Sequence, residues 1–133
     1  MHMFIIGADE NSDGQDEKMG VLARELALDV DQFRYHRLEH VVVHNDPACL
    51  DAYGTCFETM KGYGLEIEEP VLHKGDLDNL LPSLPGEGTV LVILPDNQME
   101  KFTKMIRQAP YNTCPPTGQY SFIAYWRSML TAA

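Results

Sequence analysis

Residues 40–47 read HVVVHNDP, and this short stretch decides the fold class. Three consecutive valines are typical of a buried β-strand, because β-branched side chains pack well on a pleated sheet. Asp46 and Pro47 then favour the start of a helix, since Asp is a good N-cap residue and Pro suits the first helical position. The helix is predicted to end at Gly62 or Gly64. Its buried face is predicted to consist of Leu50, Tyr53, Phe57 and Met60.

The same strand-helix pattern recurs on both sides of this stretch. TVLVIL (89–94) predicts a second buried strand, followed by Asp96 as the cap of a helix that turns Met99, Phe102, Met105 and Ile106 inward. MFII (3–6) predicts a strand before a helix over 18–30. LEIEEPVLH (65–73) predicts one more strand, in which Pro70 marks an edge or a bulge. The order predicts a single α/β domain, with a mixed four-stranded sheet and helices packed on it.

Composition excludes several classes of protein. The 133 residues are 44% hydrophobic, which suits one domain with a core. Ten Lys and Arg against twenty Asp and Glu give a formal charge of −10. This balance disfavours nucleic acid as a partner, because nucleic-acid binders neutralise phosphates with Lys and Arg. The apolar runs are too short to span a bilayer, so no membrane contact is expected, and the N-terminus lacks the basic flank of a secretory signal. Three cysteines without a Cys-x-x-Cys pair predict no disulfide framework. We expect a cytoplasmic protein without a cofactor, with Cys49 and Cys56 in or near the core.

Polar residues follow the predicted strands, where open α/β sheets bind their ligands. Asn45 and Asp46 follow one strand, His73 and Lys74 a second, and Asp96 a third. A His in this position can act as a base, or can bind an anion together with a neighbouring Lys. Asp46 and Asp96 have a sufficient alternative explanation as helix caps.

Two metal hypotheses arise, and neither leads us to assign a metal. Asp9, Asn11 and Asp13 stand at the first three ligand positions of a calcium loop, but Gly20 stands where such a loop has its bidentate Glu, so weak binding or a plain solvated loop is expected. HRLEH (36–40) matches a metalloprotease pattern that needs a helix. On the predicted strand, His40 and His44 would lie about 13 Å apart, too far to share one ion.

The chain resembles the archaeal and eukaryotic type (type 2) of peptidyl-tRNA hydrolase. Asp16-Glu17-Lys18-Met19-Gly20 stands before the first helix as that family's D-x-K-M-G motif does, and PGEGTVLVILPD (85–96) stands at its last turn and strand. The resemblance implies a hydrolase-like domain over 1–108 and a C-terminal extension over 109–133, packed on the same domain or at an oligomer interface. His73 stands where the family has its catalytic Asp, and the family's further lysines after Gly20 are not recognisable.

Two functions therefore stay open. The lost motifs and the negative charge favour a non-hydrolytic binding protein. Its partner would be a protein or a small ligand bound at the strand ends. One version is an inhibitor that covers a basic surface of its partner protein. Its ligand-binding residues would be Lys18, Gly20, Asn45, Asp46, Lys74 and Asp96. The alternative is a divergent peptidyl-tRNA or aminoacyl-tRNA ester hydrolase, in which Lys18 binds an anion and His73 positions water. The aromatic segment QYSFIAYWRSML (119–130) either completes the core or forms a homo-oligomer or partner surface.

Overall fold

The computed structural model describes residues 2–8, 15–32, 37–84, 88–112 and 121–125. The strands are β1 (His2–Ala8), β2 (Arg37–Leu38), β3 (His40–His44), β4 (Glu66–Ile67), β5 (Pro70–His73), β6 (Thr89–Pro95) and β7 (Ser121–Tyr125). The helices are α1 (Gln15–Gln32), α2 (Pro47–Gly62), α3 (Leu77–Ser83) and α4 (Met99–Asn112), and a 3₁₀ turn (Asp96–Gln98) precedes α4. In this described part of the chain, no helix is both long and apolar enough to cross a membrane.

Five strands form one sheet in the order β5-β3-β6-β1-β7. All its pairs are parallel, so the α/β prediction is confirmed and the four predicted strands are present, but the sheet is parallel rather than mixed. The reason is α3, which the sequence analysis did not predict. A helix between β5 and β6 returns the chain to the starting end of the sheet, and β6 can then run parallel to its neighbours. The fifth strand, β7, comes from the segment after residue 108 and pairs with β1.

Helices cover both faces of the sheet. Phe4 and Ile6 of β1 share a buried cluster with α1 and α2, while Met3 and Ile5 share another with α3 and α4. Successive strand residues point to opposite faces, which explains this division. We refer to the two sides as the α1–α2 face and the α3–α4 face.

The buried side of helix α2 matches the expected one in part: Met60 is buried and Tyr53 packs against the core, as predicted. Its buried residues are Cys49, Ala52, Cys56 and Met60. Leu50 and Phe57 were expected inward but are 39% and 37% exposed. The small side chains let α2 approach α1 and the sheet closely, whereas a stripe of larger residues would hold it away. The expected burial of the two cysteines is confirmed.

The stretch predicted as one strand over residues 65–73 forms two strands. Glu66–Ile67 pairs with β2 in a separate two-stranded ladder, and Pro70–His73 pairs with β3 at the edge of the main sheet. Pro70 is the first residue of this edge strand, as the sequence indicated, because a residue without an N–H group is tolerated there.

Candidate binding cleft

The carboxyl end of β3 is occupied by a helix cap. Asp46 Oδ1 accepts a hydrogen bond from the Cys49 backbone N–H at 2.9 Å, and Asp46 Oδ2 lies 3.8 Å from His44 Nε2. The cap predicted from the Asp-Pro pair is therefore confirmed, and the carboxylate is already engaged in holding the start of α2. His44, which the sequence analysis did not single out as a site residue, has a buried Nδ1 without a hydrogen-bond partner among the described residues.

The carboxyl end of β1 is closed by tight packing. Asp96 was predicted to cap the next helix but is the first residue of the 3₁₀ turn, whose N-cap is Pro95 without a side-chain hydrogen bond. A Cβ placed on Gly7 would lie 2.8 Å from Asp96 Oδ1 and 3.0 Å from Met99 Cγ. Gly7 is therefore required for close approach of the turn to β1. No room remains for a ligand between these two elements.

The predicted catalytic pair, Lys18 and His73, lies on elements at different positions along the sheet. His73 ends β5, and its side chain lies on the α3–α4 face by the alternation of strand residues. Lys18 is in α1, which packs on the other face and follows β1, three strands away from β5. Three strand spacings amount to about 14 Å. The strand before Lys18 and the strand that ends at His73 are therefore not neighbours in the sheet.

The remaining predicted residues lie at scattered positions. Lys74 and Asn45 are exposed beyond β5 and β3, and the Asn45 N–H donates to the His73 carbonyl at 3.1 Å. Gly20 is inside α1, with nothing within 4 Å of a Cβ built on it. The calcium-loop candidates Asp9, Asn11 and Asp13 lie outside the described residues, so that hypothesis stays a prediction. Among the described residues, no group of three or more His, Cys, Asp or Glu could hold a metal ion.

An open cleft of about 370 Å³ lies on the α3–α4 face beside β3 and β5. We call it the β3–β5 cleft. Its polar wall consists of Glu39, His40, Glu68, Glu69, His73 and Ser83. Val41, Val42, Val71 and Leu72 also line it, and of these Val42 and Val71 point to the α3–α4 face. The cleft exists because β5 is an edge strand and α3 is only seven residues long, so the sheet is left uncovered there and Val71 is 66% exposed.

One end of the cleft is held by buried hydrogen bonds. Thr89 is 2% exposed; its Oγ1 accepts from the Glu39 N–H at 3.0 Å and donates to the Arg37 carbonyl at 3.0 Å. The Arg37 guanidinium forms an ion pair with Glu68. These contacts fix the acidic end of the cleft, where Glu39 and Glu68 lie, against β6.

Tyr53 supports the same end from the α1–α2 face. Its hydroxyl donates to the Glu68 carbonyl at 3.0 Å. Burial, and after it the charges of Glu69 and Glu68, raise the pKa of Tyr53 above its usual 10.0. The hydroxyl therefore keeps its proton and stays a hydrogen-bond donor at neutral pH.

No cysteine in the described part of the chain is suited to nucleophilic catalysis. Burial raises the pKa of the Cys56 thiol to about 12, and Cys49 is also buried. A thiol that keeps its proton is a poor nucleophile. Cys114 lies outside the described residues.

Comparison of the chain with models of known protein families, with curated proteins and with solved structures finds no match. The resemblance to type 2 peptidyl-tRNA hydrolase therefore stays a prediction. The β3–β5 cleft is the candidate site, and its acidic residues were not predicted from the sequence. A signal was available: Glu39 and Glu69 each precede a strand, and β3 and β5 pair in parallel with their amino ends side by side.

Proposed function

We propose that this protein is a non-hydrolytic binding domain that takes a small ligand in the β3–β5 cleft. The observation that carries the proposal is the cleft itself, whose volume of about 370 Å³ is within the range of ligand pockets. Its floor over Val42 and Val71 is apolar, and polar groups lie at both ends. An apolar floor with a few polar groups is the arrangement that binds and orients small molecules.

The separation of Lys18 from His73 supports binding rather than hydrolysis. An ester hydrolase needs its base and its anion-binding group within reach of the same substrate atoms. Here Lys18 belongs to the helix that follows β1 and packs on the α1–α2 face, whereas His73 ends β5. Strands β1 and β5 are three positions apart in the sheet, about 14 Å. His73 Nε2 is also 3.3 Å from the Asp76 carbonyl, which occupies one of its two ring nitrogens.

The test is a fragment titration followed by amide-resolved NMR of the full chain. We expect fragments to shift the amides of Val42, Val71 and Ser83, and Val71→Trp to abolish these shifts by filling the cleft. Leu50→Trp is the control, because Leu50 is an exposed apolar residue outside the cleft. If no fragment shifts these amides, or if both variants abolish the shifts equally, the proposal is wrong.

A second assay addresses the hydrolase alternative directly. We expect the wild-type protein to release no N-acetylaminoacyl group from tRNA above the buffer rate, even at high protein concentration. Release that is lost in His73→Ala would replace the binding proposal with a hydrolase.

A further inference from the structure

The neutral polar groups of the β3–β5 cleft already use their hydrogen-bond donors on the protein backbone. Ser83 Oγ donates to the Leu80 carbonyl at 2.6 Å. His73 Nε2 lies 3.3 Å from the Asp76 carbonyl, and because a carbonyl only accepts, the ring nitrogen is the donor. The groups left for a ligand are lone pairs: the Ser83 oxygen and, in the neutral ring, His73 Nδ1.

The charged groups of the cleft are acceptors as well. Glu39, Glu68 and Glu69 line it, and an ionised carboxylate accepts hydrogen bonds only. Glu68 has Arg37 as its ion-pair partner. For Glu39 and Glu69, no cationic partner is found within the described part of the chain. His40 is the one polar side chain of the cleft that keeps a ring donor.

A cleft of this kind selects a cation that carries N–H donors. An anion would be repelled by the carboxylates and would find almost no donors. A cationic N–H group instead forms charge-assisted hydrogen bonds with carboxylates, which are about twice as strong as neutral ones. The formal charge of −10 on the whole chain adds a long-range attraction for cations.

The acceptors stand at two ends of an apolar strip. Glu69 precedes the first residue of β5 and His73 is its last, so their backbones are separated by about 13 Å of extended chain. Val71 lies between them, and Val42 pairs with it on the neighbouring strand. A ligand that matches this layout has cationic groups separated by methylene chains, which lie over the two valines.

Two other cations fit the layout less well. A divalent metal needs several ligands around one point, and no such group exists among the described residues. A lysine side chain of a partner protein carries a single ammonium group on a stem fixed to its own backbone, so it can satisfy only one end of the cleft.

We propose that the β3–β5 cleft binds a linear aliphatic polyamine, with one ammonium group at Glu39 and Glu69 and another at His73, an inference that rests on the proposed binding function. The methylene chain between the ammonium groups covers Val42 and Val71.

The test titrates the full chain with spermidine at low ionic strength, using calorimetry and amide shifts. We expect Glu69→Gln to weaken spermidine binding about tenfold, because it removes the carboxylate charge and leaves only a neutral acceptor for the ammonium group. Glu58→Gln is the matched control, since Glu58 is an exposed acid on α2, away from the cleft, and its substitution changes the total charge equally. We expect that control to change the affinity less than twofold.

Several outcomes would overturn the polyamine assignment. Equal weakening by both variants would show only diffuse attraction to an acidic surface. If Mg²⁺ at the same charge concentration shifts the Val71 and Ser83 amides as spermidine does, the cleft attracts cations without selecting polyamines. A short Lys-Arg peptide that binds where spermidine does not would assign the cleft to a protein partner. Fragment shifts at Val71 without any spermidine binding would leave the proposed binding function in place and reject the polyamine alone.

Discussion

Replacing Thr89 with Val tests how the acidic end of the cleft is held. Thr89 is buried at the first position of β6, and its hydroxyl joins the Glu39 N–H to the Arg37 carbonyl, both at 3.0 Å. Val has nearly the same shape but neither donates nor accepts. The substitution therefore leaves one backbone donor and one backbone acceptor without a partner in a partly buried place.

The magnitude follows from these two bonds. Each hydrogen bond contributes about 1 kcal/mol net, and a buried group left unsatisfied costs about 1–3 kcal/mol. The added methyl group returns about 0.8 kcal/mol through burial. We expect Thr89→Val to lower the free energy of unfolding by about 2 kcal/mol, a large share of the 5–15 kcal/mol that is typical of a domain.

Urea unfolding measures the loss, and with a slope of about 2 kcal/mol per molar the midpoint should fall by roughly 1 M. Hydrogen exchange locates it: the Glu39 amide should lose protection in Thr89→Val and keep it in Thr89→Ser, which retains the hydroxyl. A Val variant within about 0.5 kcal/mol of wild type, the ordinary range for surface substitutions, would refute the reasoning. Equal loss of Glu39 protection in both variants would refute it too.

Three further predictions concern a buried cysteine and two glycines. Burial raises the pKa of Cys56 from 9.0 to about 12, so above pH 9 the unfolded chain loses a proton that the folded protein keeps. The free energy of unfolding should therefore fall by about 1.4 kcal/mol per pH unit between pH 9 and pH 12. Urea unfolding of wild type and Cys56→Ala at pH 7 and at pH 10 measures this loss, which should be present only in wild type. Gly7→Ala should destabilise by about 1–3 kcal/mol, because its Cβ would lie 2.8 Å from Asp96 Oδ1. Gly20→Ala should stabilise by about 0.5–1 kcal/mol, because it lies inside α1 with nothing within 4 Å. The same urea titration checks both glycines, and a destabilised Gly20→Ala or an unaffected Gly7→Ala would contradict the packing described here.

The strand-helix units were readable from the sequence because local signals and tertiary packing agree there. The three valines of β3 and the Asp46-Pro47 start of α2 act within a few residues of each other. Tertiary contacts decide the cases that failed. Which side of α2 is buried depends on how closely α1 approaches, and this favours Cys49 and Ala52 over the larger Leu50 and Phe57.

Helix α3 was missed for a different reason. Only seven residues form it, and Leu77, Leu80 and Leu84 bury one side of this segment at i, i+3 and i+7. That pattern is too short to separate from a loop in which Pro82 and Gly86 stand nearby. Because no helix was predicted between β5 and β6, the sheet was predicted to be mixed rather than fully parallel.

Most site residues named from the sequence lie beyond the carboxyl ends of the strands, and of all those named only His73 lines the cleft. The structure shows why the ends of β3 and β1 are not part of it. At β3 the position is taken by the Asp46 cap, and at β1 by Asp96 packed against Gly7. The topology that usually opens a crevice is present, but these contacts fill it. The uncovered part of the sheet lies instead on its face beside β5, because the short helix α3 ends at Ser83. A site on a sheet face is lined by alternate strand residues and by the residues before the strands, so its acids come from Glu39 and Glu69 at the amino ends. The acidic part of the cleft is therefore a consequence of which residues precede β3 and β5.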